Sequence, residues 1–208
     1  MTDAQNHVTA QSAPPEANAM GDVDVLDRVL VKDAALLAGV RPEQLATPTP
    51  CPQYNVQALV NHLVGWLQVF AAAATGRTFD GDPAAFVSTE PVAEFRAAAA
   101  ELVAGWRSGG VDRAVRMTGA ELPGQMVLAM TLMEYVTHGC DLASATGQPV
   151  PFNDEELALT LQRARATLPD QYRGDDKAFG LAIDVPEDAP VLHRLLGFMG
   201  RRAVTTHR

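Results

Sequence analysis

Met133-Glu134-Tyr135-Val136-Thr137-His138-Gly139-Cys140-Asp141-Leu142 sets a carboxylate and an imidazole four residues apart inside an apolar run of helical character. Four residues is just over one turn of α-helix, so Glu134 and His138 leave the same face and can reach one point in space. Asp141, three residues beyond His138, lies on nearly the same face. A second histidine, His62, sits in another apolar segment, residues 58–70. Two histidines and one carboxylate on two packed helices are the ingredients of an open metal site. The functional reading rests on whether His62, Glu134 and His138 meet.

Outward from that stretch, the chain reads as helices separated by loops rich in proline and glycine. The helix that carries the motif is predicted over 125–146, with Gly147 as its stop and Met126, Met130 and Met133 as core filler. His62 belongs to a helix opened by Asn55, a good N-cap, and closed by Gly76. Before it, residues 41–54 hold prolines at 42, 48, 50 and 52 and cannot be helix interior. A first helix is expected from Asp22 or Asp24 to Gly39, and another from Pro91 to Trp106. Residues 111–123 alternate weakly and suggest a short extended segment, and so do Phe179 to Ile183. Asn153 and Glu156 form a capping-box pattern for a helix to Leu168. A last helix starts near Asp188, with Arg201 and Arg202 placed to suit its C-terminal dipole. The expectation is an all-α chain: a bundle with extra short helices, mostly antiparallel neighbours. Residues 1–21 read as a disordered tail, 22–202 as one helical metal-binding domain and 203–208 as a C-terminal tail.

Composition limits the function classes. The chain has 208 residues, 47% hydrophobic, 20% charged and 6% aromatic, with a formal net charge of −9. Alanine-rich, aromatic-poor composition favours closely packed helices. The negative charge speaks against nucleic acid and against anionic membranes, since both need clustered Lys and Arg. No uninterrupted apolar run has the length of a membrane span, and the N-terminus lacks a signal-peptide pattern, so a cytoplasmic location is expected. The two cysteines, Cys51 and Cys140, form no CxxC pair. Cys140 lies about 200° round the helix from His138 and is assigned to packing. Cys51, between two prolines, is either a buried cap of the bundle or a thiol near the pocket. His193 reads as a core or surface residue, and His7 and His207 lie in the tails. No GxSxG elbow, Ser-His-Asp order or Walker glycine loop occurs.

Thr49-Pro50-Cys51-Pro52-Gln53-Tyr54-Asn55-Val56, followed by Leu59-Val60-Asn61-His62-Leu63-Val64, resembles the opening motif of actinobacterial metal-binding proteins of the DinB-like superfamily, akin to the N-terminal domain of mycothiol-dependent maleylpyruvate isomerase. The block Glu134 to Gly147 resembles that family's second motif, and 185–190 with 195–201 its C-terminal end. The resemblance implies a four-helix bundle holding a divalent metal on His62, Glu134 and His138. It also implies a mycothiol-type S-transferase or isomerase, acting through a metal-bound thiolate or water, or else non-catalytic metal binding in a stress-related bundle. A tryptophan is common in the family where this chain has Tyr54, and another where it has Cys140. The ligands are in place, so the metal expectation carries over; the substrate does not.

With three protein ligands, at least one position stays open, the pattern of a catalytic site. Zn²⁺ is the first expectation; Ni²⁺, Fe²⁺ and Mn²⁺ suit the same donors. Asp141 is the candidate for an outer carboxylate that orients His138 or a water, against the alternative of a solvated charge near the helix end. The partners expected are a small-molecule thiol, an electrophilic substrate and, from the alanine runs 71–74 and 97–100, a second copy of the chain. The plainest alternative is a helical scaffold whose histidines are core residues.

Overall fold

The computed structural model describes residues 19–174 and 179–201. Six α-helices carry most of these: α1 (Ala19–Ala38), α2 (Val56–Thr75), α3 (Pro91–Gly109), α4 (Gly124–Thr146), α5 (Asp154–Thr167) and α6 (Val191–Phe198). Their ends follow local chemistry. Asn55 accepts a hydrogen bond from the Ala58 amide at 2.9 Å, and Gly76 closes α2 in the left-handed region at φ 73°. Asn153 and Glu156 form the reciprocal capping box that opens α5. The first helix begins at Ala19, a turn earlier than the apolar pattern indicates.

The first four helices make the bundle. Around it, α1 packs on α3, α3 on α2, α2 on α4, and α4 back on α1. The sequence expectation of antiparallel neighbours therefore needs correction at two points: α1 and α2, and likewise α3 and α4, are consecutive in the chain but lie across the diagonals. The long proline-rich connector lets the chain cross the bundle end from α1 to α2, and residues 110–123 carry it from α3 to α4. Trp106, Tyr135, Phe95 and a set of leucines, among them Leu63 and Leu132, are fully buried in the centre. By length and composition α2 could cross a membrane, but 67% of its most apolar window is buried inside the fold. Ala71 to Ala74 are buried too, so this run serves the α2–α3 contact rather than a free face. There Gly105 comes so close that a Cβ would sit 2.9 Å from the Ala74 carbonyl carbon.

The weakly alternating segment is a hairpin rather than a single extended piece. β1 (Ala114–Met117) pairs antiparallel with β2 (Ala120–Pro123). Thr118 and Gly119 both have positive φ, 47° and 85°, as a two-residue turn matched to strand twist requires. Residues 179–183 form no strand beyond a single bridge between Arg173 and Phe179. After the hairpin and α4, α5 packs back on α4 and α6 packs on α5. The tails with His7, His207 and Arg202 lie outside the described residues.

One buried carboxyl group stands apart from the site. Asp33 on α1 is 1% exposed, and neither carboxyl oxygen has a hydrogen-bond partner among the described residues. It lies against Gly139 of α4, where any side chain would meet the carboxyl and the Phe152 ring. Burial first, then the nearby Glu156 charge, holds its pKa well above the usual carboxylate value. The folded chain thus keeps a proton that the unfolded chain releases, so stability falls as pH rises from the ordinary carboxylate range toward the raised value. Asp33→Asn removes this linkage. In chemical denaturation across a pH series, the variant should gain on the parent by up to about 1.4 kcal/mol per pH unit above about pH 4. A gap that stays constant with pH would show that Asp33 ionises normally in the fold.

Candidate metal centre

Packing places the functional side chains before any of them interacts. Tyr135 of α4 is fully buried, and its hydroxyl donates to the Leu63 carbonyl of α2 at 3.0 Å. Phe70 and Phe95 hold its ring edge-on at 6.3 and 5.7 Å. Tyr135 follows Glu134 in the chain, and Leu63 follows His62. The bond that fixes the register of α2 against α4 therefore also brings His62 and Glu134 together.

His62, Glu134 and His138 do meet. His62 Nε2 is 2.5 Å from Glu134 Oε1, and His138 Nε2 is 3.7 Å from the same oxygen. One ligand atom from each lies within 4.8 Å of the others. The three are nearly buried, with side-chain exposures of 14, 18 and 10%. The two imidazoles stand edge-to-face at 5.2 Å. Trp66 and Tyr54 pack beside His62, and the Tyr54 ring also meets His138 edge-on at 5.9 Å.

The outward nitrogens are both occupied. Asp141 Oδ2 accepts from His138 Nδ1 at 2.9 Å, which puts a proton on Nδ1 and turns Nε2 toward Glu134. Asp141 is 1% exposed, so the alternative of a solvated charge is ruled out by its burial. Tyr54 Oη is 3.0 Å from His62 Nδ1. A hydroxyl can donate or accept there, so it serves either tautomer of His62. Burial, then the Glu134 and Cys51 charges, push the Tyr54 pKa up to about 12, and the hydroxyl keeps its proton at neutral pH.

This arrangement fits a divalent cation. Each ring is steadied through Nδ1 and offers Nε2, and a carboxylate sits between the two Nε2 atoms. Burial favours a neutral Glu134, but His138, His62 and Arg201 outweigh it and hold its pKa below the usual value. Burial likewise opposes charge on His138, and Glu134 and Asp141 outweigh it to raise that pKa.

A second group of donors lies deeper: Cys51, His138 and Asp141, all buried. Positive charge is already present there. Arg201 Nε donates to both oxygens of Asp141, at 3.1 and 3.2 Å. This extends the sequence reading of Arg201: it is 7% exposed and donates to the Met199 carbonyl at the end of its own helix at 3.4 Å, but its Nε neutralises Asp141 on another helix. Cys51 is both buried and near the site, so the two options left open for it hold together. Cys140 is buried on another side of α4, as its angle from His138 requires. His193 is half-buried on α6.

Tyr54 and Arg201 are the neighbours that sequence reasoning did not tie to the ligands; for Cys51 a place near the pocket was one of its two readings. A signal existed for Tyr54. Cys51 and Tyr54 belong to one turn, in which the Tyr54 amide donates to the Cys51 carbonyl at 3.1 Å, and that turn leads directly into the helix of His62. Nothing in local spacing points to Arg201.

Burial raises the pKa of both cysteines, and neither thiol carries the features of a reactive nucleophile. In the folded protein at pH 8, both should react with an aromatic disulfide reagent on the order of 100-fold or more slowly than in the denatured chain. Fast reaction of either in the native state would show an accessible thiolate.

The chain is similar to known proteins. The profile of the mycothiol maleylpyruvate isomerase N-terminal domain matches residues 26–143, which include all three candidate ligands and Asp141. An uncharacterized protein, found in two strains of Mycobacterium tuberculosis, is 35% identical over 169 residues, covering 81% of this chain and 91% of the relative. No solved structure matches the chain significantly. A profile match over more than half of its length, together with a near full-length mycobacterial relative, shows that the chain belongs to the mycothiol maleylpyruvate isomerase N-terminal domain family.

Proposed function

We propose that this protein is a divalent-metal-dependent S-transferase or isomerase that uses a small-molecule thiol of the mycothiol type. The observation that carries the reading is the convergence of His62 Nε2 and His138 Nε2 on the Glu134 carboxylate, with each Nδ1 already engaged. Family membership supports the thiol. Zn²⁺ is the first candidate metal, because it suits two imidazoles and one carboxylate.

A divalent cation at this position supplies a Lewis acid that favours the deprotonated form of a thiol or a water. The chain's own residues set the conditions around it. Glu134 lowers the net charge of the centre. Asp141 and Tyr54 fix the rings from behind. Tyr54 and Trp66 wall the site with aromatic surface and limit water. Cys51 and Cys140 are buried thiols with raised pKa, so neither provides the nucleophile. A thiol brought by a small molecule fills that role and meets an electrophilic partner at the open side of the ligand set.

Metal content decides the first step. Protein prepared without nickel resin should hold about one equivalent of metal by plasma mass spectrometry, and His62→Ala should hold little. Glu134→Ala and His138→Ala should each lower metal affinity by roughly 100-fold or more with the helical circular dichroism largely kept. Unchanged metal content in all three variants would make these residues structural. For the thiol, mycothiol should raise the unfolding temperature of the metal-loaded form and leave the metal-free form unmoved. Metal bound without any response to thiol would favour non-catalytic metal binding.

A further inference from the structure

We infer that Arg201 is a positioning residue of the metal centre, fixing the Asp141 carboxylate so that His138 keeps its proton on Nδ1 and presents Nε2; this rests on the metal reading of the His62, Glu134 and His138 set. Arg201 lies 58 residues beyond the part of the chain that the family profile matches, residues 26–143. The centre is therefore completed by a segment outside that match.

The segment is built to hold its side chain in place. Leu195, Leu196 and Met199 of the last helical turns are buried. The Arg201 amide donates to the Leu196 carbonyl at 2.7 Å, and Gly200 turns the backbone at φ 73°. Gly200 also packs directly on Gly180, where a Cβ would lie 2.8 Å from the Gly180 Cα. Arg173 ties the same crossing together: one of its terminal nitrogens donates to the Phe198 carbonyl at 2.6 Å and to Gly180 at 3.3 Å. Its guanidinium lies 4.2 Å over the Phe198 ring. The end of α6 thus has little freedom, and Arg201 is aimed inward.

At Asp141 the geometry is a relay of fixed contacts. Arg201 Nε bridges both carboxylate oxygens, and Oδ2 is shared with His138 Nδ1. A carboxylate bonded only to His138 could rotate about its last torsion and release the ring; the guanidinium removes that rotation. It also places positive charge beside the deeper donor group of Cys51, His138 and Asp141. By repulsion, a cation is kept on the Nε2 side of His138.

The test compares the parent with Arg201→Met, which fills similar space without charge, and Arg201→Lys, which keeps charge without the Nε bridge. Zinc affinity is read by competition with a chromophoric chelator. The His138 ring is read by long-range ¹H–¹⁵N NMR of the metal-free protein at alkaline pH. Arg201→Met should bind zinc about 10–100-fold more weakly and lose the parent's Nδ1–H pattern, with Arg201→Lys intermediate in affinity. A folded Arg201→Met with zinc affinity within about twofold of the parent and an unchanged His138 pattern overturns the inference. Should Arg201→Met fail to fold, Arg201→Lys decides: parental affinity and an unchanged pattern overturn the inference, and loss of both supports it. A parent that binds no zinc overturns the metal reading instead, and the NMR pattern alone then decides whether Arg201 fixes the His138 ring.

Discussion

Glu134 and Asp141 place two carboxylates on one nearly buried face of α4, and the chemistry at this end of the bundle answers their charge. Removing a carboxylate from water costs several kcal/mol unless positive or hydrogen-bonding groups replace the solvent. His62 and His138 converge on Glu134, while His138 and Arg201 converge on Asp141. His138 belongs to both sets, one nitrogen for each carboxylate. The imidazole between the two acids makes the centre one unit rather than two ion pairs.

That unit depends on a scaffold formed for other reasons. Tyr135 and Leu63 fix how α2 slides along α4 through a buried hydrogen bond, and the ligand residues are their immediate neighbours. The proline-rich connector crosses the bundle end and sets one turn, Cys51 to Tyr54, over both imidazoles. Tyr54 reaches the back of His62, and Cys51 lies beside His138 and Asp141. A stiff connector costs less to order than a flexible one, because its prolines already limit the unfolded chain. The site thus has a rigid floor of helices and a rigid wall of loop.

Asp33 shows what a buried carboxyl does where no cation answers it. It sits between α1 and α4 without a partner among the described residues, and its pKa rises. Glu134 is nearly buried too, yet its pKa is lowered, because two imidazoles and a guanidinium stand nearby. The two acids have nearly the same chemistry and opposite responses. Electrostatic surroundings, rather than burial alone, mark Glu134 as a residue placed to hold positive charge.

Much of this was legible in the linear chain. Apolar residues at helical spacing, with Asn55, Gly76, Gly147 and the Asn153–Glu156 pair at the ends, define helices α2, α4 and α5, because capping and amphipathicity are local properties. The four-residue step from Glu134 to His138 determines that both leave one helix face, since a turn of helix is 3.6 residues. The hairpin at 114–123 was less clear, as two strands of four residues carry too few alternations to declare a pairing. Tertiary structure alone decided that His62 meets Glu134, that α1 and α2 lie diagonally, and that Arg201 reaches Asp141 across 60 residues of sequence. Those outcomes depend on helix order and register, and both are set by how buried side chains pack between helices, which no local spacing encodes.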